Sequence, residues 1–352
     1  MDRYDVVIVG AGLSGLSCGI HLLLLEPEWK VLIMDRLSSE SYPRYHRMCG
    51  EALSDAAVEE MKPIKLTGVR HRILFAEEHW PDGTVIKAKA RGFIIDRPAF
   101  LGSMQEMFQG LGGCILWDRL QSVQESEDGF VLQAREGNIS CSWLVGADGA
   151  FSRVRSELYS EQPRSMIPVK QFLLRGRMAS DDTIVFHYGS RYQGAYRWEF
   201  PCGDHTNMGY PKGCQEPYGD VVEENGRYIP IGALKEVVRG RSCLVGDAAG
   251  MVNPVSFGGI RVAMLSGKKA ALYLSRGSLE GYQSWWDDSQ YSRTEFYEAY
   301  LEGRGWNDED MSEFIHPFRK GYGISAFIRA YLRRPGQRRM VMAYLRSFKI
   351  GW

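Results

Sequence analysis

Three glycine-rich turns carry the first chemical signal in this 352-residue chain. The first, Gly10-Ala11-Gly12-Leu13-Ser14-Gly15, fits the pattern G-x-G-x-x-G. In such a turn Gly10 permits the tight bend, Gly12 lets backbone approach a pyrophosphate, and Gly15 lets a helix pack close to a sheet. Leu13 and Ser14 open that helix, whose unpaired N–H groups and dipole favour phosphate. Asp35, followed by Arg36, stands twenty residues beyond Gly15, where an acidic side chain accepts ribose hydroxyls. The second turn is Gly146-Ala147-Asp148-Gly149, followed by Ser152 and Arg155. The third is Gly246-Asp247-Ala248-Ala249-Gly250, followed by Asn253-Pro254 and by Gly258-Gly259-Ile260. Each of the two sets an aspartate at the mouth of an apolar run. Asp247 is placed to accept ribityl or ribose hydroxyls. The N–H groups of Gly258 and Gly259 would face a flavin pyrimidine ring and stabilise the charge of its reduced form. One such turn is a weak signal; three in this order point to FAD rather than NAD.

The elements that must hold these turns are legible around them. Tyr4–Val9 is a short β-branched run, the type of a buried parallel strand. A helix follows over Leu13–Leu25, closed by Pro27, and Val31–Met34 forms the next strand, completing one βαβ unit. Trp143–Ala147 and Ser242–Val245 are further buried strands leading into the other two turns. Between them the pattern alternates: Gly68–Phe75, Thr84–Ala90, a hairpin over Gln121–Glu136, then Phe172–Met178, Thr183–Tyr188 and Tyr196–Phe200. The fold expected is α/β: a Rossmann-like FAD-binding domain with an antiparallel-sheet substrate domain inserted and a helical C-terminal region. The FAD-binding pieces are expected at 1–62, 92–160 and 230–275. The substrate domain takes 63–91 and 161–229, and the C-terminal helices 276–352.

Composition narrows the class. Acidic and basic residues balance at 43 each, which gives no reason to expect nucleic acid as the partner. Seven cysteines, an odd number without C-x-x-C spacing, argue against a disulfide framework or a zinc ribbon and for a reducing cytoplasm. No secretory leader and no apolar run long enough to span a bilayer is present. His21 falls within the first helix as a packing residue, and no histidine spacing suggests a metal. The balance of charge is uneven along the chain, because nine of the basic residues and none of the acidic ones lie between Phe314 and Trp352. There Phe327, Ile328, Tyr331 and Leu332 run beside Arg329, Arg333 and Arg334. This stretch suits an anionic membrane interface, and equally helices packed on the body with their basic heads in water.

The three turns resemble the FAD motifs of the para-hydroxybenzoate hydroxylase-like flavoproteins. Asp96-Arg97-Pro98-Ala99-Phe100 is similar to their D-R-x-x-F segment, which implies that Arg97 lies near the cofactor. Two further segments resemble geranylgeranyl reductases: Arg47-Met48-Cys49-Gly50-Glu51-Ala52-Leu53-Ser54, and Tyr196-Arg197-Trp198-Glu199-Phe200-Pro201 with Gly209 after it. The resemblance implies that Arg47, Cys49 and Gly50 sit beside the flavin, with Cys49 delivering or relaying a proton and His46 assisting it. Tyr196, Trp198 and Phe200 alternate on one strand and so share a face, which the resemblance makes the wall of an isoprenoid site. On residue types alone, three aromatics in that pattern read first as core, and a free cysteine as a small buried hydrophobe. The implied reaction is saturation of isolated C=C bonds in a polyprenyl lipid or small molecule. The implied reductant is external, NADPH or a carrier protein such as ferredoxin, since no second G-x-G-x-x-G is present. A flavin monooxygenase or halogenase, a prenyl-binding protein without turnover, and an electron-transfer flavoprotein are the competing readings.

Overall fold

The computed structural model describes residues 2–47, 49–214, 219–333 and 335–350. Met48 of the Cys49 segment and Arg334 of the basic stretch lie outside the described residues.

The apolar β-branched runs form one sheet. Ser242–Leu244, Asn138–Gly146, Asp2–Val9, Val31–Met34 and Cys114–Leu116 lie side by side, all parallel. The hairpin Leu120–Ser126/Gly129–Ala134 extends from Asn138–Gly146, and Val238–Arg239 pairs with Ser242–Leu244. Helix Leu13–Leu25 is buried along most of its length against this sheet, with Ile260–Leu274 and Arg97–Gly110 packed on it. A strand apolar on both faces needs cover on both, which explains why this helix shows little polar surface.

The alternating runs form a second eight-stranded sheet. Its order is Val221–Ile231, Ser165–Arg175, His205–Pro211, Arg197–Cys202, Thr183–His187, Val69–His79, Val85–Ile95, Ala52–Ser54. All pairs are antiparallel except Thr183–His187 with Val69–His79. The sequence boundaries at 62 and 92 are corrected here. Ala52–Ser54 and the end of Val85–Ile95 pair with each other in this second sheet. The long strand carries a bulge opposite Ile73–Phe75, which interrupts its alternation and masks its length. It runs into Asp96, whose carboxylate accepts from the Ala99 N–H at 3.0 Å and starts helix Arg97–Gly110. Arg97 therefore sits where the two sheets meet.

Five helices close the chain: Glu280–Asp288, Thr294–Arg304, Asp308–Ile315, Ile324–Arg333 and Arg338–Ile350. Phe296, Phe314, Phe318, Phe327 and Tyr344 build a core that includes Trp80 and Ile86 of the second sheet. The sheet thus has the C-terminal helices on the face that also bears the site.

Candidate active site

The first turn is shaped as its glycines require. Gly10 has φ 111°, and a Cβ on it would meet the Ala147 carbonyl oxygen at 2.3 Å. A Cβ on Gly15 would meet the Gly10 oxygen at 1.9 Å, whereas one on Gly12 would meet nothing within 4 Å. Gly10 and Gly15 serve packing; Gly12 faces open space. No side chain caps helix Leu13–Leu25, so its first-turn N–H groups, near Leu13 and Ser14, point into that space. Asp35 fixes the turn as much as it faces a ligand: its carboxylate accepts from Ala11 N–H at 2.7 Å and Leu37 N–H at 2.9 Å.

Beside this space the chain gathers positive charge and unused donors. Arg97, Arg227 and Arg36 all bear on His46, and burial followed by these three charges pushes its imidazole down to about 2. His46 therefore stays neutral, which removes the imidazolium donor that assistance in protonation would need. Its Nδ1, Arg97 Nε and Gln105 Nε2 are buried and have no hydrogen-bond partner among the described residues. Buried donors left unpaired are costly, and an anionic group with many acceptor oxygens satisfies them. Arg227 and Gln105 have no sequence motif. Arg227 reaches from strand Val221–Ile231 to lie 3.6 Å over the Tyr45 ring, and Arg36 donates to the Tyr45 hydroxyl at 2.9 Å.

The other turns divide into supports and contacts. Asp148 is engaged at the start of helix Arg153–Leu158, which Ser152 caps: it accepts from Ser152 Oγ at 2.5 Å, Arg153 N–H at 2.5 Å and Val154 N–H at 3.2 Å. Ala147 donates its N–H to Val9 O at 2.8 Å, and Gly149 takes φ 79° to turn the chain. Buried Arg155 donates to Ala248 O at 2.7 Å and Ala150 O at 2.8 Å, tying the second turn to the third. Gly246 (φ 59°) gives its N–H to Ser266 Oγ at 3.1 Å. Asp247 differs, since among the described residues its carboxylate has no hydrogen-bond partner. Burial raises its pKa, and the charges of Arg97 and Arg227 partly offset that. It is free to accept ligand hydroxyls. Gly258 gives its N–H to Ser256 Oγ at 3.3 Å, so of the glycine pair only Gly259, the uncapped N-terminus of Ile260–Leu274, offers an unengaged N–H beside Ile260. The open glycine, orphaned donors, arginines and free aspartate together suit the phosphates and hydroxyls of FAD.

Cys49 is held over the second sheet by its backbone. Its carbonyl accepts from Asn207 Nδ2 at 2.7 Å and Gln171 Nε2 at 3.1 Å, while Trp198 Nε1 donates to Asn207 Oδ1 at 3.2 Å. Gly50 lies flat on the Phe200 ring, where a Cβ would come within 2.8 Å of Cε2. Arg47 turns outward to Glu223 at 3.1 Å. Glu51 turns inward: it is 3 % exposed, accepts from the Arg97 N–H at 3.1 Å, and is pushed up to about 7 by burial.

The expected aromatic face exists, with one shift: the strand begins at Arg197, so Tyr196 lies just ahead of it. Tyr196 and Phe200 pack edge-on against Phe186, at 5.0 and 5.4 Å, and Tyr196 also meets Tyr188 and Phe257 at 5.8 Å each. Trp198 covers Gly209, where a Cβ would fall 2.0 Å from Cζ2. Tyr188 and Tyr196 are half-buried. Burial, then the neighbouring Cys49, raises the Tyr196 pKa, so its hydroxyl keeps its proton and donates to Ser256 O.

No protein-family model matches the chain. Digeranylgeranylglycerophospholipid reductase 1 of Methanothermobacter thermautotrophicus is 27 % identical, over 79 % of this chain and 80 % of its own. Digeranylgeranylglycerophospholipid reductase 2 of Methanosphaera stadtmanae is 27 % identical over 91 % of this chain and 92 % of its own. Among solved structures, a geranylgeranyl bacteriochlorophyll reductase-like protein from Thermoplasma acidophilum superposes with a TM-score of 0.78 at 16 % identity, over 99 % of this chain and all of that one. A flavin-dependent brominase gives 0.66 at 15 % identity, over 97 % and 94 %. In sequence the chain is similar to digeranylgeranylglycerophospholipid reductases, and its fold is that of a geranylgeranyl reductase-like protein and of flavin-dependent enzymes.

Proposed function

We propose that the protein saturates isolated C=C bonds of a geranylgeranyl or other polyprenyl group, with FAD held by Gly12, Leu13, Ser14, Arg97, Arg227, Asp247 and Gly259. The observation that carries this reading is the meeting of the Cys49 loop with the aromatic face, Gly50 lying on Phe200. An isolated alkene has no carbonyl to polarise it. Reduction needs a hydride at one carbon, supplied by reduced FAD, and a proton at the other. The rings of Tyr196, Phe186 and Phe200 hold an apolar chain by burial, exclude water, and offer π-faces to developing positive charge. The Cys49 thiol, with the protonated Tyr196 hydroxyl beside it, holds the proton at the alkene. The reductant comes from outside, from NADPH or an electron-carrier protein.

A monooxygenase or halogenase on this fold would need oxygen, and that separates the readings. Product should form from reduced protein and geranylgeranyl substrate at the same rate with and without oxygen. A requirement for oxygen contradicts reduction.

A substrate carried on a lipid calls for contact with a membrane surface. No helix among the described residues is long and apolar enough to cross a bilayer. Helix Ile324–Arg333 buries Ala326, Phe327 and Ala330 and exposes Ile324 (81 %), Ile328 (54 %), Tyr331 (40 %) and Leu332 (64 %). The exposed residues follow i, i+4, i+7, i+8 spacing and form a second apolar stripe, flanked by Arg329 and Arg333. We propose that this stripe rests on the anionic inner face of the membrane. Ile328→Asp/Leu332→Asp protein should lose flotation with anionic vesicles while its melting temperature holds. Equal flotation of the two proteins refutes the contact.

A further inference from the structure

A carboxyl group lies inside the molecule on the same sheet face as the aromatic wall, and the roles above leave it unused. Glu78 is registered with Phe186 on the adjoining strand, and Phe186 with Trp198 on the next. Registered side chains share a face. One step along, Trp80 stacks on Tyr188 at 4.2 Å, and Tyr188 adjoins Tyr196. Glu78 thus sits at the end of the row that forms the wall.

Its partners come from far along the chain. Tyr344 of the last helix donates to both carboxyl oxygens at 2.7 Å, Trp80 Nε1 donates at 3.3 Å, and Tyr322 is hydrogen-bonded to Oε2. The Tyr322 and Tyr344 hydroxyls are 3.2 Å apart. Tyr188 lies between these groups and the wall, stacked on Trp80 at 4.2 Å and edge-on to Tyr196 at 5.8 Å. Among the described residues, the groups that bear on the Glu78 carboxyl are Trp80, just beyond its own strand, and the tyrosines. Burial raises its pKa and outweighs those three donors. Tyr322 is only half-buried and leads toward solvent.

We propose that Glu78 is the proton reservoir of the reductase, feeding the site through Tyr344, Tyr188 and Tyr196. The inference rests on the function proposed above. In each turnover the alkene gains a hydride, with its electron pair, from reduced FAD at one carbon. It gains a proton from the Cys49 thiol at the other, and FAD is left oxidised. The thiolate recovers its proton from the Tyr196 hydroxyl, which turns from the Ser256 carbonyl to donate it; Tyr188 and then Tyr344 pass a proton on in its place, and the last proton leaves the Glu78 carboxyl. The Glu78 carboxylate is reprotonated from water past Tyr322, so the chain returns to its starting state. Burial favours the protonated form of Glu78, which places no charge in an apolar wall and so suits a reservoir.

Glu78→Gln and Glu78→Asp, with Tyr322→Phe and Tyr344→Phe, test this. At neutral pH the infrared spectrum of the wild-type protein minus that of Glu78→Gln, with or without cofactor, should show the carbonyl band of a buried carboxylic acid, any band from Glu51 cancelling in the difference. Anaerobic reoxidation of the reduced flavin by geranylgeranyl substrate should slow by about 10-fold in Glu78→Gln, less than the ~10²-fold typical of losing a direct general acid. The wild-type rate should fall as pH rises and the carboxyl loses its proton; the Glu78→Gln rate should be flat with pH, and Glu78→Asp should recover part of both rate and slope. The Phe variants keep the ring packing, so their slower turnover supports the relay even if Glu78→Gln folds poorly. Parental rates in the Phe variants, a parental rate and pH profile in Glu78→Gln, or an absent carboxylic band overturns the relay alone. Wild-type protein inert toward prenyl substrates overturns the underlying function and the relay with it.

Discussion

Replacing Cys49 by alanine should slow reduction of a prenyl substrate by about 10²- to 10⁴-fold, the range for removal of a positioned general acid. FAD binding should be unchanged. The two parts of this expectation rest on different atoms. The loop is anchored through the Cys49 carbonyl, which Asn207 and Gln171 hold, and through Gly50 against Phe200. None of these contacts uses the thiol, so the backbone stays in place when sulfur is removed. The visible flavin spectrum and the FAD affinity of Cys49→Ala report on the loop, and single-turnover reoxidation reports on the thiol. A parental rate removes Cys49 from the reaction. A lost cofactor would show that the side chain holds the loop after all.

A valine at position 12 should leave the apoprotein as stable as its parent and weaken FAD binding by about 10²-fold, or some 3 kcal/mol for two lost phosphate hydrogen bonds. Gly12 has φ −74° and ψ −176°, which any residue adopts, and a Cβ there meets no protein atom within 4 Å. The added methyls occupy only the space from which phosphate would approach the helix N-terminus. Gly15→Ala should behave in the opposite way. Its Cβ would fall 1.9 Å from the Gly10 oxygen, so the helix must shift, at a cost of about 1–3 kcal/mol in stability. Calorimetry of the apoproteins and FAD titration separate the two effects. A valine variant that binds FAD normally means that the phosphates lie elsewhere.

These glycines were legible because their signal is local: a buried strand, a turn and a helix within some twenty-five residues. The same holds for the aromatic alternation at Tyr196, Trp198 and Phe200. Other parts of the site depend on contacts that spacing along the chain does not encode. Glu78 meets Tyr344 across 266 positions, and in the sequence it sits in an ordinary alternating strand, beside Glu77. Arg227 lies in Val221–Ile231, whose mix of charged and apolar residues is that of a half-solvated strand. Only the sheet order brings it to Tyr45 and Asp247. Asp148 and His46 show the converse. Each has a residue type suited to the chemistry, yet one is engaged at a helix start and the other is held neutral by burial and three arginines. The domain limits erred at Ala52–Ser54 and beyond Arg91 because a bulge breaks the alternation there, and because a three-residue edge strand carries almost no pattern.

Delivery of electrons from reduced flavin to an isoprenoid double bond is the reaction proposed for this protein. Its most direct test is a stoichiometric one. The purified flavoprotein is reduced without oxygen and mixed with a geranylgeranyl lipid or diphosphate, while flavin absorbance and product mass are followed together. The account predicts that the flavin reoxidises and that one double bond is saturated for each flavin. Flavin that stays reduced in the presence of every polyprenyl substrate, or reoxidises without saturating a bond, contradicts it.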